Sequence, residues 1–289
     1  MTIRRPHREE RYEGVLAATL RSPRARVGIV ICGVIVLCAV VGPYVAPHST
    51  TGFVGLPFSH PSGNAPLGTD YVGRDVLSRF LAGGENLLLL AVLATIINIA
   101  SGTIVALIAG YSMRMADEVL MRSMDLLLAF PPIVLALMCV SIVGPAAWLI
   151  VLVVGLSQMP QTARVIRAAV VQVRDLDFIK YAEGIGTSRW RILGGQILPN
   201  VVAPLMVELG LRLTFNIGMI ASLDYLGLGV QPPKADWGMI IQENQTGLSI
   251  TPWPVVMPIL AIALLTVGSN LITDGFARAV AGLERKAAT

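Results

Sequence analysis

Six apolar segments, each about as long as a membrane is thick, constrain the fold of this 289-residue chain. A helix rises about 1.5 Å per residue, so roughly 20 apolar residues cross the hydrocarbon core of a bilayer. The segments are 27–46, 86–110, 124–143, 146–166, 201–222 and 254–274. Only 14% of the residues are charged, against about 25% in a soluble domain. The sequence therefore predicts an all-α membrane protein with six transmembrane helices.

Lysine and arginine outside the spans predict the orientation of the chain. Eighteen of the 22 basic residues lie in the two terminal tails and in the loops after the second and fourth spans, and three lie on the alternate side. Cytoplasmic loops carry such an excess, so we expect both termini in the cytoplasm. This topology explains the net charge of +4, so no nucleic-acid partner is expected. Membrane lipid is the expected surrounding of the spans and a contact of the Arg-rich N-terminal tail.

The spans also predict how the chain is divided. The first span follows an Arg-rich stretch, as in a signal peptide, but its length and the five later spans predict a retained anchor helix. The expected parts are a cytoplasmic basic tail at 1–26, the first transmembrane helix at 27–46, an extracytoplasmic segment at 47–85, a five-helix core at 86–275 with a loop at 172–199, and a cytoplasmic tail at 276–289.

Polar residues inside the spans admit two interpretations. Glu208 and Arg212 are four residues apart on the fifth span and can pair on one helix face. They form either a structural pair near the cytoplasmic end, where Arg212 reaches the interface, or the polar lining of a water-filled path together with Asn216. On the third span, Pro131–Pro132 predicts a kink.

Sequence patterns for catalysis are absent. The chain has no G-x-x-x-x-G-K-[ST], no H-E-x-x-H and no G-x-S-x-G, so it has no P-loop of its own. The three cysteines lie in apolar runs and predict neither a disulfide nor a metal site. His48 and His60 are isolated, and a metal-ligand role lacks a supporting cluster. We therefore expect no catalytic residue and no metal, and a pore, an anchor or an assembly partner rather than an enzyme.

The loop at 172–199 contains a charged, glycine-punctuated stretch that is too short to span a membrane. Helical spacing of Phe178, Tyr181, Ala182 and Ile185 predicts a short helix that Gly186 ends in a left-handed conformation. Thr187 or Ser188 can then cap a second helix carrying Trp190 and Leu193. Exposed aromatic residues fit either a groove on another protein or a lipid surface, and the spacing alone does not choose between them.

This stretch resembles the cytoplasmic loop of bacterial ABC-importer permeases, whose pattern is E-A-A, three residues, G, nine residues, I-x-L-P. The matching positions are Ala182, Gly186, Leu198 and Pro199. Lys180, Tyr181 and Gln196 stand where Glu, Ala and Ile are usual. Because Lys180 stands in place of this glutamate, a role of the glutamate in the family cannot be transferred to this position. Lys180 can instead face acidic residues of a partner.

Four further stretches resemble the dipeptide/oligopeptide/nickel subfamily, in the order expected for its C-type permease subunit. They are PLGTDYVGRDVLSR at 66–79, MRSMDLLLAFPP at 121–132, LDYLGLGVQPPKADWG at 223–238 and the segment 253–275 that ends in SNLITDG. The resemblance implies a type I ABC-importer permease architecture in the bacterial cytoplasmic membrane.

The resemblance also implies partners and a transport function. The expected complex contains a homologous second permease subunit, two ATPase subunits that bind ATP-Mg, and an extracytoplasmic substrate-binding protein, with no cofactor on this chain. The permease would form half of a path for dipeptides or oligopeptides. Nickel or another small ligand is the alternative within transport, and a membrane scaffold or anchor is the alternative of another class.

Two groups of site residues follow. The ATPase dock implied by the resemblance comprises Lys180, Tyr181, Ala182, Ile185, Gly186, Arg189, Trp190, Arg191, Leu198 and Pro199. The extracytoplasmic residues Asp70, Arg74, Asp75, Arg79, Asp236 and Trp237 are expected to form either a capped, self-paired surface helix and a rigid loop, or a contact for the binding protein or the sister permease.

Overall fold

The computed structural model describes residues 17–112 and 114–288, and it describes the side chains of residues 17–112 and 115–282. The described α-helices, in chain order from α1 to α11, are Pro23–Val45, Val76–Ala82, Gly84–Tyr111, Arg114–Leu128, Pro132–Val143, Ala147–Arg174, Asp177–Gly184, Arg189–Ile192, Val202–Tyr225, Trp237–Asn244 and Trp253–Ala288. Most of the basic tail predicted at 1–26 lies outside the described residues.

The predicted all-α membrane fold is confirmed, with five or six candidate spans among the described residues. Five stretches are long and apolar enough to cross a membrane, namely α1, α2 with α3, α6, α9 and α11. Helices α4 and α5 pass the same test together, as a pair bent by 77°. The chain is therefore a multi-pass α-helical membrane protein.

The third span differs from the predicted kinked helix because it is broken. Helix α4 ends at Leu128, and α5 starts at Pro132 after an extended Pro131 with ψ of 128°. Proline lacks an N–H and disfavours helical conformation in the residue before it, so two consecutive prolines interrupt the hydrogen-bond ladder. With 12 residues, α5 rises only about 18 Å and is too short to cross a bilayer alone.

The amphipathic helix α4 is held against α6 by charged side chains. Arg167 pairs with Asp117, and Arg164 pairs with Asp125. Arg174, at the end of α6, also donates to the Gly110 carbonyl of α3 over 2.9 Å. These contacts join the same ends of three helices, next to the loop at 172–199.

Close helix packing depends on small residues, as in other membrane bundles. Helices α3 and α6 form the most extensive contact. At Gly102, an added Cβ would lie 2.8 Å from Thr162, and at Gly155 it would lie 2.8 Å from the Ala94 carbonyl oxygen. Helix α9 packs against both helices and against α11. These contacts place polar residues of α3, α6 and α9 side by side in the interior.

Candidate functional site

The loop at 172–199 folds into two short helices between α6 and α9. Helix α7 spans Asp177–Gly184 and α8 spans Arg189–Ile192. The chain continues through a π-helical turn at Leu193–Ile197 and a 3₁₀ turn at Leu198–Asn200. The second helix is thus shorter than a regular α-helix, but the predicted helix–Gly–helix arrangement is confirmed.

Gly186 ends the first helix as predicted. Its φ of 77° is left-handed, its N–H donates to Glu183 O over 3.0 Å, and Thr187 N–H donates to Ala182 O over 3.0 Å. This pair of bonds is the Schellman motif. Ser188 occupies the N-cap of α8, but its side chain makes no capping bond. Its carbonyl accepts from the amides of Arg191 and Ile192 instead.

The buried face of the loop consists of aliphatic residues. Ile179, Ala182 and Ile192 are at most 3% exposed and join a core cluster with Ala106 of α3 and Val170 of α6. Ala182, which the family resemblance places in the dock, therefore faces the body of the protein. The sequence interpretation missed Ile179 and Ile192 as anchors. The three-residue spacing of Ile179 and Ala182 is the signal that indicates this inner face.

The outer face of the same helices carries large apolar side chains. Tyr181, Ile185 and Trp190 are 71%, 64% and 76% exposed, and Phe178 is 40% exposed. We call these four residues the apolar patch. The predicted single apolar face of Phe178, Tyr181, Ala182 and Ile185 is thus wrong, because Ala182 lies on the opposite side from the other three. Exposed aromatics of this kind are unusual outside binding surfaces.

Charged residues surround the apolar patch. Lys180, Arg189 and Arg191 are exposed, and Lys180 Nζ lies 3.9 Å from the fully exposed Asp177. Such an exposed pair contributes little to stability, so Lys180 remains available to a partner. Leu198 and Pro199 are half-buried where the loop enters α9. The loop thus combines a buried base with an outer surface of apolar residues and of charged residues of both signs.

A second polar site lies inside the membrane bundle. Arg212 Nε donates to Glu208 Oε1 over 2.7 Å, and Arg212 Nη1 donates to Gln158 over 3.0 Å and to Gln161. Thr162 Oγ1 lies 3.3 Å from Glu208 Oε1 and 2.8 Å from Asn98 Oδ1. We call these six residues the intramembrane network.

Hydrogen bonds of the intramembrane network hold the side chain of Arg212. Arg212 lies ten residues into α9, about 15 Å along the helix, and its predicted pair with Glu208 is present. Helix α6 supplies further acceptors for its guanidinium. The structural pair and the path lining both remain predictions. The sequence alone did not identify Gln158, Gln161 and Thr162, although polar residues in an apolar span are a signal for such contacts.

Asn216 occupies a different environment from Glu208 and Arg212. Its amide donates to Thr95 Oγ1 over 3.0 Å, and its side chain is 0% exposed. The described residues offer no donor to its Oδ1. Asn216 thus belongs to the packing of α9 against α3 in this conformation.

The acidic and basic residues predicted on a surface helix are buried. Asp70 and Arg79 are each 1% exposed, and their charged groups lie 2.8 Å apart. Arg74 also pairs with Asp70, over 2.7 Å, and both arginines reach Glu243 on α10, at 3.4 Å from Arg74 and 2.9 Å from Arg79. Burial raises the pKa of Glu243, although the nearby Arg74 opposes the shift. The predicted self-pairing of these residues is present, but the predicted surface position is wrong, because the pairs are buried and Glu243 completes the ion cluster.

Asp75 caps α2. Its Oδ2 accepts from the Ser78 amide over 3.0 Å and from the Ser78 hydroxyl over 2.5 Å. His48 Nδ1 lies 3.5 Å from the same oxygen. Capping of α2 therefore accounts for the acidic residue at position 75.

Asp236 and Trp237 are also buried, at the start of α10. Asp236 Oδ1 accepts from the Gly238 amide over 2.9 Å, and Trp237 Nε1 donates to the Phe80 carbonyl over 2.8 Å. The Trp237 and Phe80 rings stack with centroids 5.6 Å apart. Burial, followed by the Asp224 carboxylate, raises the pKa of Asp236 well above its ordinary value. Neither side chain is available to a partner in this conformation.

Comparison with known proteins gives consistent matches. A family model described as "Binding-protein-dependent transport system inner membrane component" matches residues 102–282. A di/tripeptide transport system permease protein of Pseudomonas aeruginosa is 34% identical over 86% of this chain and 84% of its own length. A glutathione transport system permease protein of Pectobacterium atrosepticum is 36% identical over 74% of this chain and 71% of its own. A probable D,D-dipeptide transport system permease protein of Escherichia coli is 31% identical over 94% and 92%, respectively.

Proposed function

This chain belongs to the family of binding-protein-dependent transport system inner membrane components, and from that premise we propose that it is the permease subunit of an ATP-driven peptide importer. The relatives described above are named for dipeptides, tripeptides or glutathione. These names favour a peptide over nickel or another small ligand. Similarity over most of the length of each relative supports the transfer of their function to the whole of this chain.

The observation that carries the proposal is the apolar patch on the loop at 172–199. Its aromatic residues are exposed, while Ile179, Ala182 and Ile192 hold the loop against α3 and α6. An apolar surface with a rigid base and a charged rim suits a groove on a water-soluble partner. In the proposed complex, that partner is an ATPase subunit, and the loop transmits its motion to the spans.

The other parts of the complex supply what this chain lacks. ATP-Mg binds the two ATPase subunits, a homologous permease completes the translocation path, and an extracytoplasmic protein delivers the peptide. The excess of Lys and Arg in the tails and in the loop at 172–199 supports a cytoplasmic location for both termini and for the apolar patch. Glu208 and Arg212 belong to the wall of the path.

The proposal is tested by reconstitution. The permease is purified with its partner subunits, placed in proteoliposomes and supplied with radiolabelled trialanine, the binding protein and ATP-Mg. We expect uptake of labelled peptide that requires ATP and the binding protein. Excess unlabelled dipeptide should reduce this uptake. Nickel uptake without peptide uptake would show that the proposed substrate class is wrong. Normal peptide uptake by a complex that lacks this chain would show that the permease role is wrong.

A further inference from the structure

Two polar atoms of the intramembrane network form no hydrogen bond with the described residues. Arg212 uses Nε and Nη1 for its bonds to Glu208, Gln158 and Gln161. Glu208 uses only Oε1. Among the residues whose side chains are described, 17–112 and 115–282, no hydrogen bond is found to Arg212 Nη2 or to Glu208 Oε2. The Glu208 side chain is 3% exposed. The side chain of Arg212 keeps 13% exposure. Each residue of this bonded pair thus keeps one polar atom, an N–H donor on Arg212 and a carboxylate oxygen on Glu208, without a hydrogen bond to the described residues.

Exposing these two unbonded polar atoms to hydrocarbon would cost considerable free energy. Charged groups inside membrane spans almost always face a partner or a water-filled cavity. Three side chains hold Arg212 near the middle of α9, so its guanidinium is not free to reach the membrane surface. The unbonded side of the pair is then expected to face water in the path, polar groups of the second permease, or polar groups that enter the bundle.

The chemistry of the pair indicates what it can bind. A peptide carries N–H donors beside C=O acceptors along its main chain, and an ammonium group and a carboxylate at its ends. Arg212 Nη2 can donate to a peptide carbonyl or carboxylate, and Glu208 Oε2 can accept from a peptide N–H or ammonium. Because Glu208 and Arg212 neutralise each other, the site requires no net charge on the ligand. Main-chain groups occur in every peptide, so recognition does not depend on peptide sequence.

We propose that Glu208 and Arg212 form a contact site for the main-chain or terminal polar groups of a peptide as it crosses the membrane. The inference rests on the proposed function and specifies how the path recognises its substrate. Gln158, Gln161 and Thr162 are positioning residues, because they hold the pair in place from α6. Asn98 positions Thr162 from α3 in the same way.

The test compares variants of the reconstituted complex. Glu208→Gln with Arg212→Gln removes both charges together, so it leaves no lone buried charge in the bundle. We expect the number of trialanine molecules imported per ATP hydrolysed to fall about tenfold, as for a lost charge-assisted hydrogen bond. Thr214→Val is the matched control, because the Thr214 hydroxyl bonds only the Gly210 carbonyl of its own helix. An unchanged ratio in the double variant would overturn the inference.

A second measurement applies if the double variant does not assemble. A trialanine analogue with a photoreactive diazirine is loaded into the wild-type complex and illuminated during turnover. We expect adducts on α6 and α9 within one helical turn of Gln161 and Arg212. Adducts confined to other helices would overturn the inference while leaving peptide transport established. A wild-type complex that imports no peptide would instead contradict the proposed function.

Discussion

At the scale of single residues, Asp236 shows how burial makes stability depend on pH. Its carboxyl is 0% exposed and lies against Asp224, and no described residue donates to Oδ2 of either group. Burial and the neighbouring carboxylate raise the pKa of Asp236, so the folded protein holds this proton more tightly than the unfolded chain. The stabilisation is fully present below about pH 4 and is lost as pH rises through the folded pKa.

Asp236→Asn should therefore flatten the pH dependence of unfolding. The amide keeps an oxygen for the Gly238 N–H but has no proton to lose. As the pH rises above about 4, we expect the unfolding temperature of the wild-type protein in detergent to fall by a few degrees more than that of the variant. Asp274→Asn serves as the control, because Asp274 is 64% exposed. Equal pH dependence in wild type and Asp236→Asn would contradict the assignment.

Gly186 allows a second test at a single residue. No neighbouring atom lies within 4 Å of an added Cβ, but its φ is 77°, so only backbone strain opposes a side chain. A β-branched residue is strained there by roughly 1–3 kcal/mol, whereas asparagine tolerates this conformation. We expect Gly186→Val to reduce peptide uptake and peptide-stimulated ATPase activity, and Gly186→Asn to retain most of both. Gly184→Ala controls for an added methyl in the adjoining helix, and equal activity of all three variants would refute this account of the turn.

At the scale of elements, α7 and α8 have two faces with separate roles. Tyr181 and Trp190 are exposed, so alanine at either position should leave the unfolding temperature of the permease unchanged. If the apolar patch docks the ATPase, each substitution should weaken its binding by about 2 kcal/mol, or roughly thirtyfold. The measurement is binding of purified ATPase to permease in nanodiscs.

The control for this experiment is Trp148→Ala. Trp148 is 63% exposed but lies at the opposite end of α6 from the loop at 172–199. Its removal should not change ATPase binding. If Tyr181→Ala and Trp190→Ala also bind the ATPase normally, the apolar patch is not the dock.

At the scale of the whole molecule, the distribution of basic residues predicts which end faces the cytoplasm. With Cys32, Cys38 and Cys139 replaced by alanine, a single cysteine introduced at Ser62 or Ser188 shows which side of the membrane that position faces. Both serines are exposed. A membrane-impermeant maleimide added to intact spheroplasts should label Ser62→Cys and not Ser188→Cys. After lysis, both should react. The reverse labelling pattern in intact spheroplasts would show that the topology is the opposite of the predicted one.

Local sequence patterns predicted the spans and the Gly186 turn because apolar length and backbone chirality determine both. They predicted the local pair of Glu208 with Arg212, but not the distant partners of the buried charges. Arg74 and Glu243 are 169 positions apart, and Arg212 and Gln158 are 54 apart, so only tertiary packing brings them together. The two prolines of the third span predicted a bend but not its 77° angle, nor the ion pairs between α4 and α6.

The buried ion pairs of Arg79 have a consequence for hydrogen exchange. They connect residues 70–79 to Glu243 on α10, and separating these segments would leave uncompensated charges in a dry environment. The amides of α2 and α10 should therefore open together, with one shared free energy, as a single cooperative unit. Any rearrangement of this end of the bundle during transport would then move the two segments as one rigid body.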